Sequence, residues 1–284
     1  MGYLHINNLY KDTTIQLFKE CYALEKIHGT SAHIKWSEDK LTFFAGGSNH
    51  EQFCKLFNSE ELIKNFRLLF GSATVTVFGE AYGGKLQAMS NTYGKELKFV
   101  VFDVMVGTLW LNVPAAEKVT KDLNLEFVSY KKISTELESL NEARDEQSIQ
   151  AIRNGCGFSK LREGVVLRPL VECRLNHGER LIAKHKRDEF METKTPRKVE
   201  PEKLQKLTEA QAIADEWVTP MRLEHVLDKI ENKTMENMIC IIKAMVEDVY
   251  REGEGELIKS KDVDRAIGTQ TVKLFKQYLK DQLK

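Results

Sequence analysis

The sequence has no excess of charge of either sign: lysine plus arginine and aspartate plus glutamate both total 42. No global field therefore draws in nucleic acid. A groove needs only local positive charge, however, so an RNA or DNA substrate is not excluded. Cysteine is scarce and unpatterned. Cys21, Cys54, Cys156, Cys173 and Cys240 form an odd set without C-x-x-C spacing, which argues against a disulfide framework or a zinc site. With no recognisable signal peptide, they are expected to be reduced, small buried hydrophobes in a cytoplasmic setting. No apolar run approaches the ~18 residues of a membrane span. Position 6 is Ile6 rather than Ser or Thr, so the N-myristoylation pattern fails. Internal repeats and low-complexity tracts are also missing.

What is present is ordinary globular material, 42% apolar and 30% charged over 284 residues. That is enough for a large domain with a small appendix. Thr30 to Trp36 partly alternates, and Thr74 to Phe78, Phe99 to Val106 and Val165 to Leu167 are β-branched and aromatic runs that predict strands. Between them, Asn49 to Phe70 carries apolar residues at helical spacing, with Gly71 as its stop. Pro114 suits the first turn of a further helix. Lys194 to Lys203, with two prolines and mixed charge, reads as a linker. Strand signals fade beyond it. Leu223, Val226, Leu227 and Ile230 form one helical face and Met238, Ile241, Ile242 and Met245 another, while Lys259 to Leu283 supplies one more helix or a pair. The expected organisation is an α+β domain over 1–195 and a helical domain over 205–284.

Five short segments carry possible chemistry. Glu25-Lys26-Ile27-His28-Gly29 contains K-x-x-G, which alone is nearly uninformative, occurring about once in a chain of this size. Its functional reading is a nucleophilic lysine on a tight turn, with Gly29 letting backbone approach a phosphate. Val77-Phe78-Gly79-Glu80 is read as a strand ending in a carboxylate, followed by Tyr82-Gly83-Gly84. Phe99-Val100-Val101-Phe102-Asp103 is a buried-type strand with a carboxylate at its end. Arg162-Glu163-Gly164-Val165-Val166-Leu167-Arg168-Pro169 opens a strand with a carboxylate. Leu181-Ile182-Ala183-Lys184-His185-Lys186 closes one with two lysines at i and i+2, which puts both on one face and His185 on the other. Each alone could be a solvated charge at a strand end; the ordered set of five is the signal.

In this order the segments resemble motifs I, III, IIIa, IV and V of the covalent nucleotidyltransferases, the superfamily of ligases and messenger-RNA capping enzymes. The form K-I-H-G with K-H-K closing the set is most similar to the double-strand RNA ligase family of phage and kinetoplastid RNA-editing ligases. DNA ligases and capping enzymes usually carry Asp where this chain has His28. The resemblance covers about residues 20 to 190. It departs from the pattern at motif Ia, where Phe43-Phe44-Ala45-Gly46-Gly47-Ser48-Asn49-His50 lacks the family's phosphate-contacting arginine. Either glycine-rich backbone N–H groups make that contact or another side chain does.

The resemblance implies antiparallel sheets with flanking helices around an ATP cleft, and Lys26 as the nucleophile that forms lysyl–AMP. It implies further that Lys184 and Lys186 lower the pKa of Lys26 and neutralise phosphate charge. Glu163, with Glu80, would hold Mg2+ or Mn2+. Glu80 would also contact the ribose, Phe102 would stack on adenine with Asp103 nearby, and His28 would orient the pyrophosphate. Glu25 would meet the base edge. Strict alternation sets Phe102 and Asp103 on opposite faces, so both can serve one ligand only where the strand bends or ends. The implied substrate is RNA ends, in a nicked duplex or an RNA/DNA hybrid, with no membrane and no oligomer implied. Arg222, Lys229, Lys233 and Lys243, expected on helices of the appendix, could grip strand phosphates. A helical appendix is the family's partner for RNA ligation, whereas many DNA ligases and capping enzymes carry an OB barrel there. The rivals are a DNA ligase, a capping-type guanylyltransferase and an inactive RNA-binding relative.

Overall fold

The computed structural model describes residues 2–175, 178–195 and 210–282. The strands among the described residues are β1 (Asn7–Asn8), β2 (Glu20–Lys26), β3 (Thr30–Ser37), β4 (Lys40–Phe44), β5 (Val75–Gly83), β6 (Leu97–Val106), β7 (Leu109–Trp110), β8 (Tyr130–Ser134), β9 (Gly164–Pro169) and β10 (Ala183–Lys186). They form two five-stranded sheets of order β1-β10-β9-β2-β8 and β4-β3-β5-β6-β7. Every pairing is antiparallel except the two-residue parallel match of β1 with β10. The α-helices among the described residues are α1 (His50–Cys54), α2 (Ser59–Phe70), α3 (Ser90–Tyr93), α4 (Val113–Asp122), α5 (Leu137–Asp145), α6 (Ile149–Arg153), α7 (Ala210–Trp217), α8 (Pro220–Leu227), α9 (Met238–Glu252) and α10 (Lys261–Gln282). The fold is therefore the expected α+β arrangement, and among the described residues its C-terminal part is helical.

The chain divides into two compact units, Met1–Arg187 and Asp188–Lys284. The expected linker from Lys194 lies outside the described residues from position 196 to 203. In the first unit, one face of the second sheet is apolar: Ile34, Trp36, Val75, Val77, Val101 and Val104 pack with Leu62 and Phe66 of α2 and with Val113 and Ala116 of α4. In the second, Trp217, Leu223, Val226, Ile241, Met245, Ile267 and Phe275 make a separate core.

Local chemistry explains where several expectations needed changing. The helical pattern from Asn49 to Phe70 is two helices, because Asn58 starts a second one by accepting a hydrogen bond from the Glu61 amide at 3.2 Å, as Asn49 does from Gln52 at 2.9 Å. Gly71 ends α2 at φ +57. Asn112 caps α4, with Pro114 in its first turn. The strand expected over Thr74 to Phe78 runs on to Gly83, so Glu80 is not at a strand end. It lies inside β5, flanked by Ser31 on β3 and Val100 on β6. Asp103 is likewise interior to β6.

Candidate active site

The end of β2 and the turn after it hold the lysine-centred segment. Lys26 donates from Nζ to Glu163 Oε2 at 3.0 Å, and His28 Nδ1 lies 3.2 Å from the same oxygen. Lys186 Nζ reaches the other carboxylate oxygen, Oε1, at 2.9 Å. Glu163 immediately precedes β9, whose Gly164 is paired with Lys26 on one side and Lys186 on the other. Register thus brings Lys26, 137 positions before Glu163, and Lys186, 23 positions after it, onto one carboxylate. A side chain at Gly164 would strike the His185 carbonyl at 2.1 Å, so glycine permits this close packing of β9 on β10. Lys184 lies two residues along the same strand from Lys186, on the same face. His185 points the other way, to Asn141 Oδ1 at 2.8 Å, and burial lowers its pKa to about 4.

Glu80 enters from the second sheet. Its Oε1 accepts from the Gly29 amide at 3.1 Å, tying the lysine turn to β5. Gly29 is required there, since a Cβ would sit 2.3 Å from the Ala81 carbonyl oxygen. The two carboxyls are driven apart electrostatically. Burial raises the Glu80 pKa, and the neighbouring Glu163 charge adds to that; Lys26 and Lys186 counter only part, leaving it near 8. Burial would raise Glu163 too, but Lys26, Lys186 and His28 outweigh it and hold the carboxyl well below the usual range.

Two of the sequence-derived ligand residues, Glu25 and Asp103, are held by protein partners. Glu25 points away from the Lys26 face, as alternation requires. Its carboxylate accepts from Ser148 Oγ at 2.6 Å, the Ile149 amide at 3.0 Å and the Gln150 amide at 3.2 Å, capping α6. Asp103 is fully buried, accepting from Arg168 Nη1 at 3.0 Å, from Tyr3 at 2.6 Å and from Arg180. That network ties β9 of one sheet to β6 of the other. Phe102 and Asp103 do share a side, because Phe102 is the extra residue of a β-bulge between the Val101–Gly79 and Asp103–Phe78 pairs. The bend that strict alternation demanded is present, and Tyr3 touches both residues, its ring 4.8 Å from that of Phe102. Phe102 stays partly exposed, but the Asp103 carboxylate is already held by two guanidinium groups.

Residues outside the five segments also shape the site. The buried Tyr93 hydroxyl accepts from the His28 amide at 3.3 Å, fixing the turn after Lys26. Ser148 and Gln150 secure Glu25. None belongs to a readable motif; only the fold brings them there. In the glycine turn without arginine, Gly47 donates to Thr30 Oγ1 at 2.9 Å and Ser48 to the Ala45 carbonyl at 3.0 Å. Those two amides are engaged, one by Thr30 of β3 and one within the turn, which removes them as phosphate donors. In the helical unit, Arg222 is 2% exposed and paired with Asp248 at 2.7 Å and Glu192 at 3.3 Å. It holds the core together and cannot reach a nucleic acid. Lys229 and Lys233 lie beyond the end of α8, and Lys243 alone of the four is an exposed lysine on a helix.

Two largely antiparallel sheets, joined at a lysine–glutamate cluster, define the nucleotidyltransferase fold of ligases. The RNA ligase family model matches residues 19–186, and the chain belongs to that family. Solved structures of RNA ligase from Naegleria gruberi are similar in fold. A mutant with ATP and Mn is 14% identical with TM-score 0.52, covering 67% of this chain and 56% of that one. The ligase with PPi has the same identity and TM-score and covers 67% and 57%. A mutant with AMP and Mn is 13% identical, again at 0.52 with 67% and 57% covered. This chain therefore spans somewhat over half the length of those ligases. No curated protein matches the sequence.

Proposed function

We propose that the protein is an ATP-dependent RNA ligase that joins 3′-hydroxyl and 5′-phosphate ends through a lysyl–AMP on Lys26. The observation that carries the proposal is the convergence of Lys26, His28 and Lys186 on the single buried carboxylate of Glu163. Such a cluster can hand its donors to an arriving triphosphate. The nucleotidyltransferase domain spans 1–195 in this reading and the helical domain 205–284. The K-I-H-G form supports a relation to the double-strand RNA ligases, and the Naegleria complexes with ATP, AMP and Mn support the choice of nucleotide and metal.

Among the described residues no group of three or more His, Cys, Asp or Glu stands ready for a metal. Glu163 and Glu80 nevertheless offer two carboxylates beside the cations. That set fits Mg2+ or Mn2+, which take their other ligands from phosphate and water. The ion would be held by Glu163 and Glu80 and would neutralise phosphate charge. Lys26 must release Glu163 and lose a proton before it reacts. Its lone pair then forms the N–P bond to the α-phosphate as the bond to pyrophosphate breaks. Lys184 and Lys186 stabilise charge moving onto the leaving group, and His28 orients it. Phe102 stacks on the adenine. AMP then passes to the 5′-phosphate, and the 3′-hydroxyl displaces it to seal the strand. Asp103 and Glu25 act structurally in this scheme.

The test is sealing of nicked duplexes with RNA or DNA on either side of the nick, at equal adduct yield. RNA on the 3′-hydroxyl side should be joined best. A preference for all-DNA nicks would favour a DNA ligase, and an adduct with GTP alone a capping-type enzyme.

A further inference from the structure

The rim beside the Lys26 cluster has features that catalysis of lysyl–AMP formation does not use. Residues 154–160 leave α6 and run to Arg162 and Glu163. Phe158 in this loop is 74% exposed. It is preceded by Gly155 at φ +73 and Gly157 at φ +93, backbone conformations that favour glycine. A Cβ at either glycine meets nothing within 4 Å, so conformation rather than crowding calls for glycine here. The ring adds nothing to either core.

A second segment borders this loop. The Gly84 amide donates to the Gly94 carbonyl at 3.0 Å, closing the turn between β5 and β6. Gly94 lies against Cys156 of the loop, where an added Cβ would be 3.7 Å from Sγ. Lys98 Nζ donates to Asn154 Oδ1 at 3.1 Å, and Asn154 Nδ2 to the Tyr93 carbonyl at 2.9 Å. The two segments thus carry Lys85, Lys95, Lys98 and Lys160, with Glu96 as the acid among them. Lysine therefore predominates on this rim of a chain whose charges balance overall. The rim adjoins the chemistry, since Glu80 is three residues before Gly83, Glu163 three after Lys160, and Tyr93 holds the His28 amide.

We propose that this rim binds the single-stranded stretch of RNA next to the end being joined, with Phe158 stacking on an unpaired base and the lysines meeting phosphates. This rests on the RNA ligase reading and names how that site takes its substrate. Lysines recognise phosphate without reading sequence. A protruding aromatic ring needs a base whose face is open, and an unpaired strand offers one where a continuous duplex does not. That combination selects single strand over duplex as the occupant.

The experiment uses the full-length protein, Phe158→Ala, and a Lys85→Ala/Lys95→Ala/Lys160→Ala triple variant. Phe158, Lys85 and Lys95 are exposed and Lys160 is half-buried. Binding of a fluorescent single-stranded RNA of about 10 nucleotides and of a blunt RNA duplex is measured across a salt series, with adduct formation from ATP alongside. Phe158→Ala should weaken single-strand binding about tenfold and leave the duplex unchanged. The triple variant should reduce the single-strand salt slope by about two. Unchanged single-strand affinity in both variants would overturn the proposal, as would equal losses for duplex and single strand. Adduct formation separates the two readings. If wild type forms no adduct, the ligase reading fails while the binding comparison still decides the rim. If wild type forms one and the variants bind RNA normally, the rim alone is wrong.

Discussion

Two buried ion networks lie within the first unit, built from nearly the same kinds of group, and they are wired differently. Around Asp103, two arginines share two carboxylates: Arg168 and Arg180 each pair with both Asp103 and Glu172. Around Glu163, two lysines and a histidine converge on one carboxylate. The first arrangement balances its charge with planar, always-protonated guanidinium groups. The second gathers compact amines that can lose or exchange a proton and whose donors an incoming phosphate can take over. The contrast is the one expected between a clamp joining two sheets and the proposed site for chemistry, and burial alone would not have drawn it.

Substitutions can test that contrast. The largest effect is expected at the clamp. Asp103→Asn leaves two buried arginines short of a negative charge, which should cost about 3–5 kcal/mol of stability. Adduct yield per folded molecule should change little. Urea unfolding beside an adenylylation assay measures both, and a stable but inactive variant would move Asp103 into the active site. Glu163→Gln reverses the pattern: adenylylation should fall by about a hundredfold or more with native-like folding by circular dichroism. Near-normal adenylylation would show that the cluster is not where chemistry occurs.

Glu25→Gln keeps the shape but weakens a cap made of three neutral donors, at a cost of about 1–3 kcal/mol. Preference for ATP over GTP in adduct formation should not move; a change in that preference would return Glu25 to the base edge. The smallest effect concerns pH. In the folded protein Glu80 titrates near 8, against roughly 4.3 for a free glutamate. Between those values the folded state holds a proton that the unfolded state has lost. Its stabilising contribution is full below the lower value and disappears as pH rises through 8. Glu80→Gln should therefore lose less Tm than wild type between about pH 6 and about pH 9. Parallel Tm curves would contradict the raised pKa.

Much of this was legible before the fold was known, and what was not follows a rule. Lys26, His28, Glu163 and Lys186 sit in short segments whose order carries information, and strand register then brings them together. The i, i+2 spacing of Lys184 and Lys186 foretold that His185 would face away. The protein partners of Asp103 and Glu25 were not legible, because adjacency in sequence says nothing about which partner captures a side chain. Asp103 is captured by arginines from β9 and the segment before β10, and Glu25 by the amides of α6, more than 120 residues distant. Arg222 looked like a phosphate ligand on a helix, yet its acidic partners Glu192 and Asp248 are 30 and 26 positions away. Tyr93 belongs to no motif, and only packing delivers its hydroxyl to the His28 amide.

The most direct test of the account is to incubate the protein with labelled ATP and divalent metal, digest it, and locate the heat-stable AMP. A single modified peptide carrying AMP on Lys26 is expected. No adduct should form with Lys26→Ala or with Lys26→Arg, whose guanidinium stays protonated and is a poor nucleophile. AMP mapped to another lysine, or an undiminished adduct in Lys26→Ala protein, would contradict it.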